Sequence, residues 1–352
     1  MPLTPSSTGG ARTTWNYTPE LPLRSAPFLR WPPRPGAIAK HLVRSWLPLR
    51  SRFFMLAVSF GIWAWFMPSL ERTKHFELGW IFEVWLRNLI LVTVVAGGLH
   101  VWLYVMGRQG DSLRYDARPF GRNKRVFLFG NQVRENIFLT LVPAVVVWTG
   151  FESLLLWAYA NGYAPSITIG DNPAWFVVFL AIIPWWSVLY FSAHHRLLHT
   201  GPAYRHVHSW HHRNVSVGPW SGLAMHPAEH LVLFSDVVLL FLLPSHPVHL
   251  YFMTMHHGIG APLSHTGFDA LLLGPQNHRQ ARFELGDFHH QLHHRFIECN
   301  YGGLESPLDE MIGSFHDGTP QGDAALSRSR HERSSTRTTR RDTRRDHGAG
   351  AG

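Results

Sequence analysis

Between residues 53 and 255 the sequence alternates long apolar stretches with short polar connections. A helix that crosses a bilayer needs about 20 mostly apolar residues. Four stretches approach that length: 53–70, without a formal charge; 88–106, broken only by His100; 137–160, with the single acid Glu152; and 175–192. A fifth, 231–255, contains Asp236 and the break Pro244-Ser245-His246-Pro247. Proline removes a helical hydrogen bond and kinks the chain, so this stretch reads as a broken or re-entrant apolar hairpin. Stretches this long exceed what the core helices of a soluble protein require. The pattern predicts an all-α integral-membrane fold of about four transmembrane helices plus that hairpin.

Charge sets an orientation. The chain before the first stretch carries Arg12, Arg24, Arg30, Arg34, Lys40, Arg44, Arg50 and Arg52. The connection between the second and third carries Arg108, Arg114, Arg118, Arg122, Lys124, Arg125 and Arg134, whereas 161–174 has no Lys or Arg. Positive loops stay in the cytoplasm. The N-terminus and everything after the fourth stretch are therefore expected on the cytoplasmic side.

The ends are polar. Residues 1–50 lack the apolar core and cleavage site of a secretory signal and read as a cytoplasmic extension. Residues 320–352, with eight arginines among Ser, Thr, Asp and Gly, cannot bury a core and are expected to be disordered. They sit more naturally near anionic lipid headgroups than on nucleic acid. That leaves one domain, 51–319. The Arg-rich, Lys-poor composition points to a bacterial source, and hence to an inner membrane.

One cysteine, Cys299, excludes a disulfide framework and any cysteine-built zinc or iron–sulfur site. Histidine is the outlier: 19 of the 25 lie between His194 and His294. Directly after the fourth stretch come His195 and His199, whose i, i+4 spacing puts both rings on one helix face. His208, His211 and His212 follow as His-x-x-His-His, a spacing that again gathers three rings on one side of a helix, and His290, His293 and His294 repeat it. An isolated pair of this kind is ordinary on an amphipathic helix; three boxes at the end of membrane helices are not. Eight imidazoles are too many for one ion, so two ions with about four histidines each is the simplest partition. Imidazole alone does not choose among zinc, copper, iron and nickel. His226, His230, His257 and His265 lie between boxes and are candidates to complete coordination, with His265 and His230 included in the ligand set. His194, His206 and His289 neighbour a box, as residues that support a ligand, lie at the surface or serve as alternative ligands. Asp287, Glu229 and Asp236 are candidates to orient ligand N–H groups.

These residues resemble the fatty acid hydroxylase superfamily of sterol desaturases, methyl-sterol oxidases and sphingolipid hydroxylases, over roughly residues 186–315. The resemblance rests on His195-Arg196-x-x-His199, His208-x-x-His211-His212, His226-Pro227-x-Glu229, His265-Thr266-Gly267, His290-x-x-His293-His294, Asn300-Tyr301-Gly302 and the closing Leu308-Asp309-x-x-x-Gly313-Ser314-Phe315. Leu308 stands where many relatives have Trp, and the doubled histidines at 194/195 and 289/290 depart from the usual pattern. The resemblance implies a cytoplasm-facing di-iron site that uses dioxygen to hydroxylate or desaturate a membrane lipid: a sterol, a fatty acyl chain or another. Electrons would come from an external ferredoxin or cytochrome and reductase. The competing class is a histidine-rich zinc-binding membrane protein or metal transporter without redox activity, which usually places its ligands near mid-bilayer.

Overall fold

The structure, a computed structural model, describes residues 15–41, 50–274 and 281–329. After a short helix α1 (Pro35–His41) come the apolar helices α2 (Ser51–Phe66), α3 (Leu78–Val105), α4 (Gln132–Ala160) and α5 (Pro173–Leu198). Among the described residues, α3, α4 and α5 are long and apolar enough to cross a membrane. The expectation of about four such helices is corrected at α2, which stops at Phe66. The residue before a proline avoids the α region, and Met67, preceding Pro68, is extended (ψ 129°). At about 1.5 Å per residue, α2 is shorter than the hydrocarbon core.

The helix α3 begins ten residues before the predicted 88, because its charges find partners. Arg87 and Glu152 pair inside the bundle and are almost fully buried. Asn88, Trp148 and Thr254 also donate to the Glu152 carboxylate. A buried charge is tolerated only when its remaining lone pairs are satisfied in this way. Asn131 caps α4 by accepting the Arg134 N–H, and Asn172 caps α5 through Trp175 N–H, with Pro173 at the first helical position. Pro143 is absorbed by a π turn at Thr140–Ala144. Outward-facing Ile90, Val94, Val101, Val146, Val177 and Val178 are exposed, as a lipid-facing belt requires.

The fifth apolar stretch is the hairpin the prolines implied. Helix α6 (Gly201–His206) and a 3-10 turn (His208–Arg213) lead to α7 (Pro227–Phe234), a 3-10 segment (Ser235–Phe241), the Pro244–Pro247 break and α8 (Pro247–Gly258). Helix α8 packs against α2, α4 and α5, and every residue from Pro247 to Met255 is buried. Gly258 permits this, since a Cβ there would come within 2.6 Å of the Trp148 ring.

The all-α expectation is corrected by one hairpin. After α9 (Gly260–Ser264), strands β1 (Ala270–Leu273) and β2 (Ala281–Glu284) pair antiparallel, with Ala270 opposite Glu284. The Gln109 side chain donates to Ala270 O and accepts from Leu272 N–H, tying this hairpin to the arginine-rich connection. Helix α10 (Phe288–Phe296), α11 (Leu308–Met311) and a helical run over 320–329 complete the chain. That run corrects the expected disorder of the tail for its first ten residues, where Ala324, Ala325 and Leu326 favour helix; residues 330–352 lie outside the described residues. The N-terminal extension is not merely solvated either. Trp15, Tyr17, Leu21 and Leu23 pack with Tyr115, Phe288 and Leu292 beneath α10, while 1–14 and 42–49 lie outside the described residues.

Both arginine-rich segments and the histidine cap thus share one end of the bundle: Asn16 N–H donates to Tyr115 O, and Tyr115 N–H to Gly267 O. At the opposite end Ser166 bridges Ser245, and Asn161 donates to Lys74 O.

Candidate metal centre

Nine histidines converge into two adjacent groups. His195, His199, His208, His212 and His293 form one, and His211, His265, His290 and His294 the other; within each, the candidate ligand atoms all lie within 4.8 Å of one another. The ring centroids of His212 and His294, one from each group, are 5.0 Å apart. The second and third boxes are therefore split rather than pointed as units. Successive helical residues diverge by about 100°, so His293 turns to the first group while His290 and His294, four apart, share the second. The second box lies on a 3-10 turn rather than an α-helix and divides the same way, His208 and His212 against His211.

Local structure aims each ring. His195 and His199 occupy the last turn of α5 and its C-cap. Asp287 caps α10 by accepting the His290 N–H at 3.2 Å. At the other end of α10, Ile297 adopts φ +68° and turns the chain so that Cys299 O accepts from His293 Nδ1 at 2.6 Å. His195 Nδ1 donates to Tyr301 O at 2.5 Å, and Asp309 holds that loop by accepting the N–H groups of Tyr301 (3.0 Å) and Gly302 (2.7 Å). The Asn-Tyr-Gly motif and the closing Asp are thus the seat of a ligand's orienting carbonyl. Sequence reasoning offered carboxylates for that job and missed the backbone oxygens, which carry no residue-type signal. Of the three carboxylates, Glu229 orients a ligand, meeting His208 Nδ1 at 2.6 Å. Asp236 instead pairs with His257 at 2.9 Å.

The remaining candidates separate. His230 lies in neither group: its Nε2 donates to Leu223 O at 3.0 Å and its buried Nδ1 has no hydrogen-bond partner. His226 caps α7 through Ala228 N–H, His206 is exposed, and His289 packs on Phe315.

The donor set fits metal ions. His195 and His293 each place Nδ1 on a backbone carbonyl, so the proton sits there and Nε2 is a bare lone pair. Neighbouring Nε2 atoms among His195, His199, His208, His212 and His293 lie 2.9–3.1 Å apart. Bare lone pairs at that distance repel unless a cation lies among them. Nitrogens about 2.05 Å from a common ion are about 2.9 Å apart at right angles and about 3.3 Å apart in a tetrahedron. The observed spacing is what nitrogens sharing an ion require. In the second group, His265 and His294 bring their Nε2 atoms to 3.1 Å, and both ring nitrogens of His290 are buried without a hydrogen-bond partner. Burial, reinforced by neighbouring imidazoles at His211, pushes His211 down to about 3, and burial pushes His265 down to about 4. Both are neutral and able to bind metal. Burial alone pushes the Glu229 carboxyl up to about 8, and its short contact makes it a proton-sharing partner of His208.

A cavity of about 330 Å³ meets both groups, at His195 and His208 and at His211, His265 and His290. Its apolar wall includes Met55, Val188, Phe191, Met225, Leu233 and Leu263. The volume is at the low end of small-molecule sites, matching the reacting part of a lipid.

Comparison with known proteins agrees with this site. Residues 177–314 match the family Fatty acid hydroxylase, a span that contains all nine histidines. A Delta(7)-sterol 5(6)-desaturase of Gibberella zeae is 34% identical over 129 residues, covering 36% of this chain and 38% of that protein. A second, from Aspergillus fumigatus, is 25% identical over 72% of this chain and 83% of its own length. A Delta(7)-sterol-C5(6)-desaturase of Nicotiana tabacum is 25% identical over 66% of this chain and 83% of its own length. The chain thus spans well under half of the Gibberella protein and most of the other two. No solved structure matches. Residues 177–314, with the three boxes and the closing Asn-Tyr-Gly loop, are thus similar to the fatty acid hydroxylase family, and the relatives that match are named as sterol desaturases, which are oxidoreductases.

Proposed function

We propose that the protein is a membrane-bound, dioxygen-dependent di-iron oxidoreductase that hydroxylates or desaturates a lipid. The observation that carries this reading is that both histidine groups open onto one largely apolar cavity. His195, His199, His208, His212 and His293 would hold one iron, and His211, His265, His290 and His294 the other. Bound irons would supply the redox chemistry by which dioxygen removes hydrogen from an unactivated carbon. The chain's own residues do the rest. The Tyr301 and Cys299 carbonyls fix the tautomers of His195 and His293, so that each Nε2 is ready before an ion arrives, and Glu229 orients the His208 ring. Phe191, Leu233 and Leu263 exclude water and seat the hydrocarbon beside the site. Cys299 alone cannot build an iron–sulfur centre, so we assign electron supply to a separate ferredoxin or cytochrome with its reductase. The arginine pattern supports a cytoplasmic histidine cap, and the Arg-rich, Lys-poor composition supports a bacterial inner membrane. The relatives' names favour a sterol-like substrate.

The test is metal content by mass spectrometry on protein purified without oxygen, beside His211→Ala. About two irons per chain, falling to about one in the variant, supports the reading. Incubation with a reductant, its carrier and isotope-labelled dioxygen then separates the reactions: label in the lipid marks hydroxylation, and an unlabelled alkene marks desaturation. No stoichiometric metal, even after iron reconstitution, would refute it.

A further inference from the structure

Several polar groups on the cavity wall stand outside the histidine groups; two of them, from α2 and α8, keep a buried nitrogen without a hydrogen-bond partner, as Ser187 keeps its Oγ. Arg52, from α2, pairs through Nη2 with Glu305, but its Nη1 is buried without a hydrogen-bond partner. His256, from α8, faces the Phe252 carbonyl with Nδ1 at 2.7 Å. The ring proton is therefore on Nδ1 and Nε2 is an acceptor, also buried and without a partner. Both side chains line the cavity. One unused donor and one unused acceptor complement a hydroxyl, which both donates and accepts. Buried groups left unmatched are costly, so something the cavity takes up is expected to match them.

Charge on the same wall narrows the choice. Glu284, Asp287 and Glu305 line the cavity beside the single cation Arg52. A carboxylate, sulfate or phosphate would meet three acids and the lone pair of His256, and like charges disfavour it. An amine placed at the clasp would find Glu305 already held by Arg52 and would be repelled by the free Nη1.

We propose that Arg52 and His256 form a clasp for a neutral hydroxyl head group, Arg52 Nη1–H donating to its oxygen and His256 Nε2 accepting its proton. The substrate of this site is accordingly a lipid alcohol rather than a lipid acid, phosphate or amine. This rests on the lipid-oxidising reading above. Its test measures binding, without turnover, so the two can fail separately: metal content decides one and head-group preference the other.

The experiment uses the full chain in lipid nanodiscs and equilibrium binding of radiolabelled probes in two skeletons. Cholesterol is compared with cholesterol sulfate and cholestane, and hexadecanol with palmitate, hexadecylamine and hexadecane. For the skeleton that fits, the alcohol binds about tenfold tighter than its partners. Arg52→Met and His256→Leu each reduce that preference about three- to tenfold, leaving hydrocarbon binding and metal content unchanged. The proposal is overturned if the sulfate, acid or amine binds as tightly as the alcohol. It is also overturned if neither alcohol binds better than its hydrocarbon, as when water fills the clasp. Should Arg52→Met fail to fold for want of the Glu305 pair, the head-group series on the unsubstituted protein and on His256→Leu still decides.

Discussion

Replacing Glu229 with alanine separates a residue that serves the metal from one that serves the fold. Its Oε1 meets His208 Nδ1 at 2.6 Å, its Oε2 is buried without a partner, and the residue is 4% exposed. With the carboxyl held uncharged by burial, the hydrogen bond itself is worth about 0.5–1.5 kcal/mol. Loss of a ligand's orienting partner costs roughly 10–100-fold in metal affinity, or about 1.4–2.8 kcal/mol. The fold sees the opposite balance. A carboxyl with one unmatched oxygen, pushed up to about 8 by burial, is costly to bury. Glu229→Ala should therefore lower affinity for one metal of the two, while leaving the melting temperature of the metal-free protein unchanged or raised. The assay is metal content after dialysis against graded chelator, alongside thermal melting with and without metal. One ion should leave at about 10–100-fold lower chelator strength, and the other should stay. The reasoning is refuted if both ions hold as in the unsubstituted protein, or if the metal-free protein melts several degrees lower.

Other outcomes follow from the same geometry. Stripping both metals should lower the melting temperature markedly, because bare nitrogens 2.9–3.1 Å apart lose the cation that offsets their repulsion; an unchanged temperature after complete removal would contradict this. Gly222→Ala would set a Cβ 2.4 Å from the Ala261 backbone, displacing the short helix before His265 whose Ala261 O accepts from His265 Nδ1 at 2.9 Å; metal titration should show the four-histidine group weakened and the five-histidine group retained. Asp287→Ala removes the cap on α10 and should cost about 0.5–2 kcal/mol, read as a lower denaturation midpoint with faster amide exchange at His289 and His290. If exchange instead rises uniformly across α5, the cap is not what holds that box.

The sequence alone determined the features that follow from local pattern. Apolar length specified α3, α4 and α5, because a bilayer sets one thickness whatever the fold. Proline specified the break between α7 and α8, and spacing specified that His195 and His199 share a face. Composition and spacing also singled out the three histidine boxes, which the structure gathers into two groups of a kind that could hold metal ions. Only the tertiary structure decided how they divide. Rings on neighbouring residues, such as His211 and His212, diverge by a fixed angle, and which side holds an ion depends on what packs opposite. His265 joined because α9 brings it to the second group, while His230, next to Glu229 on α7, turned to a carbonyl. Arg87, just outside the second predicted stretch, and Glu152, the single acid within the third, pair inside the bundle because each found the other across two helices. Long-range pairing has no period in the sequence, and so these contacts appear only once the helices are packed.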